Sequence, residues 1–396
     1  MTEPPTAEAR TPATHKKTRI EGLDVARALA ILGMFAAHFG EDTPETGWTW
    51  LAVSHGRSSA LFAILAGVSI ALMLTRKAGV PGNLAGPGDV AHTRWRVGVR
   101  GLMLIPLGYL LSAVGTPVII ILANLGVMFL LSLIAFRWST WALWSAAGAF
   151  MVFEQALVTE ITVLAQSSGV YGLPVIENLW SEYYPAVSWM GYILVGMAMG
   201  RLALRARRTQ IILATAGGVG LAVAKVIDVV AGGPQATMQS QWLSTEAHSY
   251  SPLEMFGNVA SACLVIGICL WLAQVARSLV LPLIAAGSMA LTLYAAQVVV
   301  IAAVGNEIVW QPSNASLVTL CLSAVAFASL WRWLIGQGLL ENLLSVTSMA
   351  AADAAVGKAP TDGVAGDDAA TDAAAGNAAT RGVDRHASTV WRGDGS

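Results

Sequence analysis

The sequence predicts an all-α protein, a polytopic transmembrane helix bundle of about ten spans with both termini in the cytosol. Three observations carry this. Hydrophobic residues make up 55% of the 396 and charged residues only 12%. Apolar runs of about twenty residues, each enough to cross roughly 30 Å of hydrocarbon, recur along the chain. The loops also alternate in charge, with basic clusters at 76–100, 137, 201–208, 277 and 332 and acidic loops at 41–45, 160–182 and 246–254. Under the positive-inside rule the basic set faces the cytosol. A transmembrane β-barrel would read instead as short alternating segments.

Residues 1–18 are rich in Pro, Thr and Ala without periodicity and read as a disordered tail. No apolar signal-peptide core precedes Lys16, so the first span is expected to act as an uncleaved anchor, with Lys16, Lys17 and Arg19 holding its start in the cytosol. That span, Leu23 to Gly40, reads LDVARALAILGMFAAHFG. Further spans are expected at about 58–75, 97–114, 117–135, 140–157, 186–204, 210–231, 256–276, 281–303 and 315–335. The spans form one membrane domain over 19–345. Residues 346–396, mostly Ala, Asp and Gly, lack the large apolar side chains that offset ordering entropy and read as a second disordered tail.

The formal net charge of −1 says nothing about nucleic acid; no basic patch carries interleaved aromatics, and no nucleic-acid partner is expected. Cys263, Cys269 and Cys321 lie in apolar spans and read as small buried hydrophobes, not disulfides or metal ligands. No metal cluster, P-loop or nucleophile elbow is visible, so no metal is expected. Gly67 and Gly98 read as close-packing positions between helices.

The chemistry concentrates in the first span, where Asp24, Arg27 and His38 fall near one helix face. Ionisable groups inside a span are expensive and mark working sites by default. Asp24 and Arg27 also fit an ion pair snorkelling at the membrane boundary, and His38 also fits a cap on the outer helix end. At 1.5 Å per residue Asp24 and His38 lie about 21 Å apart, at opposite ends. A neutral imidazole on an inward face suits general-base work. His55 and Arg57, before the second span, are expected beside His38, either assisting there or solvated in the loop. His248 and Glu254, in HSYSPLE, are candidates for the acceptor side; equally, Ser251, Pro252 and Glu254 have the pattern of a helix start. Arg94, Arg96 and Arg100 lie at the cytosolic start of the third span, as a mouth for nucleotide phosphates or as ordinary positive-inside residues. Glu154, Lys225 and Asp228 are further membrane-embedded charges, the last two spaced to neutralise each other.

These residues resemble a known pattern. D-V-A-R-A-L-A-I-L-G-M-F-A-A-H is similar to the opening motif of the acyltransferase-3 family. The wider chain more closely resembles bacterial relatives of heparan-alpha-glucosaminide N-acetyltransferase, through RIEGLDVARALAILGMFAAHF, GRSSALFAILAGVSIAL and YPAVSWMGYILVGMAMGR. HSYSPLEMFGNVASACLVIGICLWLA and MALTLYAAQVV add to this, and also resemble an uncharacterised family of bacterial inner-membrane proteins. The likeness spans about 19 to 345. It implies a multi-pass acyltransferase of the inner or plasma membrane that takes an acyl group, most simply acetyl, from cytosolic acyl-CoA (acetyl-CoA) to a hydroxyl or amine of a sugar or glycolipid acceptor. His38 would act as base, Asp24 and Arg27 would fix the first helix or the donor, and Arg94, Arg96 and Arg100 would meet the donor phosphates; Arg57 is a candidate to hold the acceptor hydroxyl or the oxyanion, with His55 assisting. Membrane lipid is the other expected partner, and the oligomeric state stays open. Two departures stand out. The lysosomal enzymes carry an Asn where this chain has His38, and their own catalytic His falls near Thr46 to Trp48. Gln297 replaces a His common in the LTLYAAQ segment. The competing expectation is a proton-coupled carrier or exporter of a small polar or lipid-linked solute, which would use the same intramembrane charges.

Overall fold

The computed structural model describes residues 19–75, 86–170, 183–232 and 241–357. The tail segments 1–18 and 358–396 lie outside the described residues, as do Arg76, Lys77, Glu177 and Glu182. The regular elements described are helices: α1 (Glu21–Phe39), α2 (Arg57–Met73), α3 (Pro87–Ser112), α4 (Leu122–Ser132), α5 (Thr140–Ser167) and α6 (Ala186–Met199). They continue as α7 (Arg207–Val230), α8 (Pro252–Val275), α9 (Arg277–Ser288), α10 (Ala290–Val304), α11 (Asn314–Leu334) and α12 (Leu339–Val356). Short 3-10 turns cover Thr49–Ser54 and Leu133–Arg137.

The centre of the bundle is α1. Glu21 and Asp24 in its first turn complement the helix dipole, and Gly40, in an extended conformation, ends it. It packs against α2, α8, α9, α10 and α11. The approach is closest at the Asp24 end, where a Cβ on Gly22 would lie 2.5 Å from the Leu270 Cα and one on Gly287 1.7 Å from the Asp24 carbonyl oxygen. Small residues are what allow backbones this near where lipid supplies no hydrophobic drive between helices. Gly67 of α2 behaves as expected, since its Cβ would strike the Ile193 carbonyl of α6 at 2.2 Å. Gly98 does not, because its nearest neighbour would be the Leu133 side chain at 3.7 Å, an ordinary contact.

Among the described residues, seven helices are long and apolar enough to cross a membrane, or eight if the bent pair α9–α10 counts as one span. The expected ten differ for identifiable reasons. The run at 117–135 folds as the 11-residue α4 and the one at 186–204 as the 14-residue α6, both short of a full crossing. Helix α6 is apolar because it is buried in protein: nearly every one of its residues is inaccessible. The run at 97–114 lies in α3, whose 26 residues begin with a polar turn and carry Arg94, Arg96 and Arg100. In the other direction, α12 continues beyond residue 345, where composition placed the start of the tail, and packs along α3. The span expected at 281–303 is broken, with α9 and α10 meeting at 69° around Met289.

Polar contacts tie the helix ends together at both ends of the bundle. At the Asp24 end Arg277 pairs with Glu21, Gln274 donates to the Arg205 carbonyl, and Arg201 donates to the Trp138 carbonyl. At the His38 end Asn314 and Glu41 exchange two hydrogen bonds, and Lys225 pairs with Asp228 at 2.8 Å while the Thr245 N–H donates to the same carboxylate.

Candidate functional site

Two cavities open at opposite ends of α1. The last turn of α1 carries His38 into a cavity of about 400 Å³, which it lines with His55, His248, Ser58, Ser59, Tyr184 and the Pro117–Ile119 segment. The structure therefore brings three of the sequence-predicted residues together. His38 Nδ1 lies 2.5 Å from Nε2 of Gln297, on α10. That contact serves either neutral tautomer. With the amide nitrogen toward the ring, Nδ1 accepts; with the amide turned over, Oε1 accepts Nδ1–H and Nε2 keeps its lone pair. Only the second arrangement makes His38 a base at Nε2. It exchanges one unpartnered amide atom for the other, since Oε1 is buried and without a partner among the described residues.

His55 Nε2 meets the Asp42 carboxylate at 3.2 Å. His248 sits edge-on to the rings of Tyr183 and Tyr184, both at 5.8 Å. Burial holds its imidazole below the ordinary value of 6.5, against a hydrogen bond with the Tyr183 backbone that pushes the other way, and the neighbouring His55 adds to the lowering. Glu254 does not line the cavity. Its carboxylate accepts the backbone N–H groups of His248 and Tyr250 and the Ser249 hydroxyl. His248 and Tyr250 both have left-handed backbones, with φ of 63° and 54°. A side chain that gathers both N–H groups offsets the cost of that conformation, so Glu254 builds the loop that presents His248. The helix-start pattern is also real, with the Glu254 N–H donating to Ser251 Oγ at 2.9 Å.

At the other end of α1 a cavity of about 280 Å³ is lined by Arg19, Arg27, Arg100, Ser69, Glu341 and apolar residues of α2 and α4. Asp24, fully buried, holds Arg27 at 2.5 Å and Arg19 through two contacts of 2.5 and 2.9 Å. Arg27 also donates to Ser69 at 2.8 Å. Arg100 donates to Ser348 of α12 at 3.2 Å. Arg94 is exposed and Arg96 lies a turn from Arg100 with its Nε buried and unpartnered among the described residues; neither lines the cavity. The break between α9 and α10 adjoins this cavity through Ser288 and Leu291. Glu341 satisfies the start of α10 there, accepting the N–H groups of Leu291 and Thr292 and the Thr292 hydroxyl. Three guanidinium groups thus line one cavity with a single carboxylate, Glu341, which is already engaged, while Asp24 lies buried behind Arg19 and Arg27.

Arg19, Ser69, Glu341 and Tyr184 are cavity residues that the sequence did not single out. Arg19 had a signal, its five-residue spacing from Asp24; the others come from distant helices. On α2 the two cavity linings are one turn apart, at Ser59 and Phe62. Arg57 lies outside the His38 cavity, facing a neighbouring groove.

Fold and cavities together define a multi-pass membrane protein with an imidazole pocket and a cationic pocket at opposite ends of one buried helix. The family of the heparan-alpha-glucosaminide N-acetyltransferase catalytic domain matches residues 19–226, and the chain belongs to that family. No curated protein and no solved structure matches it. Membership implies an acetyltransferase with acetyl-CoA as donor. The matched segment contains Asp24, Arg27, His38, Arg57 and Arg100; His248, Glu254, Gln297 and Glu341 lie beyond it.

Proposed function

We propose that this chain transfers the acetyl group of acetyl-CoA, taken from the cytosol at the Asp24 end, to an amine or hydroxyl of a sugar-like acceptor bound at the His38 end, across a bacterial inner or plasma membrane. One observation carries the proposal: a cationic cavity and a histidine cavity address the same helix from opposite ends, and their linings come within one turn on α2.

The donor side fits its ligand. Arg19, Arg27 and Arg100 outnumber the carboxylates at that cavity and suit phosphate oxygens, while Phe62, Leu65 and Leu104 make a wall for a slender apolar arm. Arg96, with an unpartnered Nε a turn from Arg100, extends the cationic approach along α3. Arg94, exposed, contributes charge alone. Asp24 fixes the two guanidinium groups of Arg19 and Arg27. When bound, acetyl-CoA supplies an acetyl thioester whose carbonyl is open to a nucleophile and whose sulfur departs as the thiol.

On the acceptor side His38 is the general base, with Gln297 fixing its tautomer. The imidazole takes the proton of the attacking amine or hydroxyl and returns it to the departing sulfur. His55 and His248, with Ser58 and Ser59, orient the acceptor; Glu254 acts through the loop it holds.

The test is acetyl-CoA turnover and acetyl transfer by the purified chain in proteoliposomes. His38→Ala is expected to lower kcat by about 100-fold or more with the fold retained. Undiminished turnover would remove His38 from the mechanism, and solute flux without acetyl transfer would replace the enzyme with a carrier.

A further inference from the structure

A groove of about 520 Å³ shares a wall with the His38 cavity. It runs between α1, α8 and α11, and its open side carries exposed Leu29, Val53, Val318 and Leu322. Trp48 and Trp50 line it too, stacked with centroids 5.7 Å apart, as aromatics gather at a membrane boundary. The lining is overwhelmingly apolar. Its one charged residue is Arg57, whose Nε is buried and has no partner among the described residues. Ser54, nine-tenths buried, has an equally orphaned Oγ. Ser54 and Ser58 line the groove and the His38 cavity alike. Arg57 also borders a third hollow, of about 440 Å³, together with His55, Lys225 and Thr245.

Buried unsatisfied donors are costly and call for an explanation. Here an apolar slot carries a guanidinium nitrogen in its wall and a hydroxyl where it meets the His38 cavity. The slot suits a hydrocarbon chain, the guanidinium suits a phosphate, and the two shared serines form the doorway to His38. A bulk phospholipid would gain nothing from that doorway; a lipid carrying a reactive headgroup would. We propose that this groove seats the hydrocarbon chain of a phosphate-bearing carrier lipid, with its phosphate on Arg57, so that the acceptor group reaches His38 attached to the lipid. The acceptor half of this rests on the acetyltransferase reading above; the lipid seat does not.

The test uses the full chain in detergent with undecaprenyl phosphate as the probe, followed by native mass spectrometry without acetyl-CoA. Undecaprenyl phosphate is expected to be retained about tenfold more tightly than undecaprenol or phosphatidylglycerol. Arg57→Gln should remove that advantage, and Val318→Trp, which fills the slot from an exposed position on α11, should lower retention without touching the guanidinium. Equal retention of the three lipids, or retention unmoved by both variants, overturns the seat. Transfer is then compared between undecaprenyl-phosphate-linked glucosamine and methyl glucosaminide. A preference of about tenfold in kcat/KM for the lipid-linked acceptor, lost in Val318→Trp, supports delivery on the carrier; equal use of the two overturns it. A chain that retains the probe but acetylates neither acceptor overturns the acetyltransferase reading and leaves the seat standing. One that acetylates methyl glucosaminide without retaining the probe overturns the seat alone.

Discussion

At the scale of single residues, the decisive contact is the one between His38 and Gln297. An imidazole can work as a base at Nε2 only if something holds the proton on Nδ1, and Gln297 is the side chain placed to do so. Gln297→Leu keeps the buried volume and removes that acceptor. It is expected to lower kcat about 10- to 100-fold, the cost usual for a group that orients a functional histidine, with the KM for acetyl-CoA unchanged. A purely structural role would move both parameters or neither. The position of Gln297 in α10 was legible in the sequence, its partner was not: the two residues are 259 apart in the chain, and no periodicity joins them. Asp24 and Arg27 are the opposite case, since i,i+3 spacing alone put them in contact. The surprise there is Arg19, which makes Asp24 the hub of two guanidinium groups. Asp24→Asn leaves both without their counter-charge at a buried site. The expected loss is about 3 kcal/mol, toward the low end for a broken buried pair because Arg19 is 47% exposed. Thermal unfolding in detergent measures it, and an unshifted transition would show the cluster to be dispensable.

At the scale of elements, what the sequence conveyed was the amphiphilic character of each run; what it hid was each helix's neighbours. Helix α6 read as a span because burial in protein and burial in lipid select the same residues. The break between α9 and α10 was invisible because Glu341, which satisfies the freed N–H groups, comes from α12. Part of α12 looked like tail, its alanines carrying too little apolar surface to signal packing on α3. The loop before α8 shows how an element responds to its surroundings. His248 is enclosed by Tyr183, Tyr184 and Tyr250, with His55 nearby. Burial lowers its pKa, so the folded loop binds a proton less readily than the opened one. The stabilising contribution is therefore complete above the ordinary value of 6.5 and is lost as pH falls below it. Hydrogen exchange over residues 246–251, corrected for intrinsic rates, is expected to quicken as pH drops from about 8 to about 5, and His248→Gln to remove that dependence. Exchange in the natural chain that ignores pH would assign the loop's order to Glu254 alone.

At the scale of the whole molecule, burial sorts the helices into a core and a surround. In the most apolar stretches of α1 and α2, 67% of residues are inaccessible, against 11% in α5 and α11, which turn most of their surface outward. Helix α1 can hold two chemistries apart while linking them, because its ends line separate cavities and most of its middle, Leu29 apart, is packed against neighbours. The proposed reaction needs that separation to coincide with the membrane, with the guanidinium end toward cytosolic acetyl-CoA and the histidine end away from it. Loop charge supplies the expected direction. Single cysteines test it in a background with Cys263, Cys269 and Cys321 replaced by Ala. Glu45→Cys, beyond the His38 end of α1, should react with a membrane-impermeant maleimide added to intact cells. Arg207→Cys, at the start of α7, should react only after the cells are opened. The reverse pattern would invert the orientation and place the three arginines where acetyl-CoA is not supplied, which would end the proposed direction of transfer; labelling of both from one side would mean that the two ends of α1 do not lie on opposite sides of the membrane.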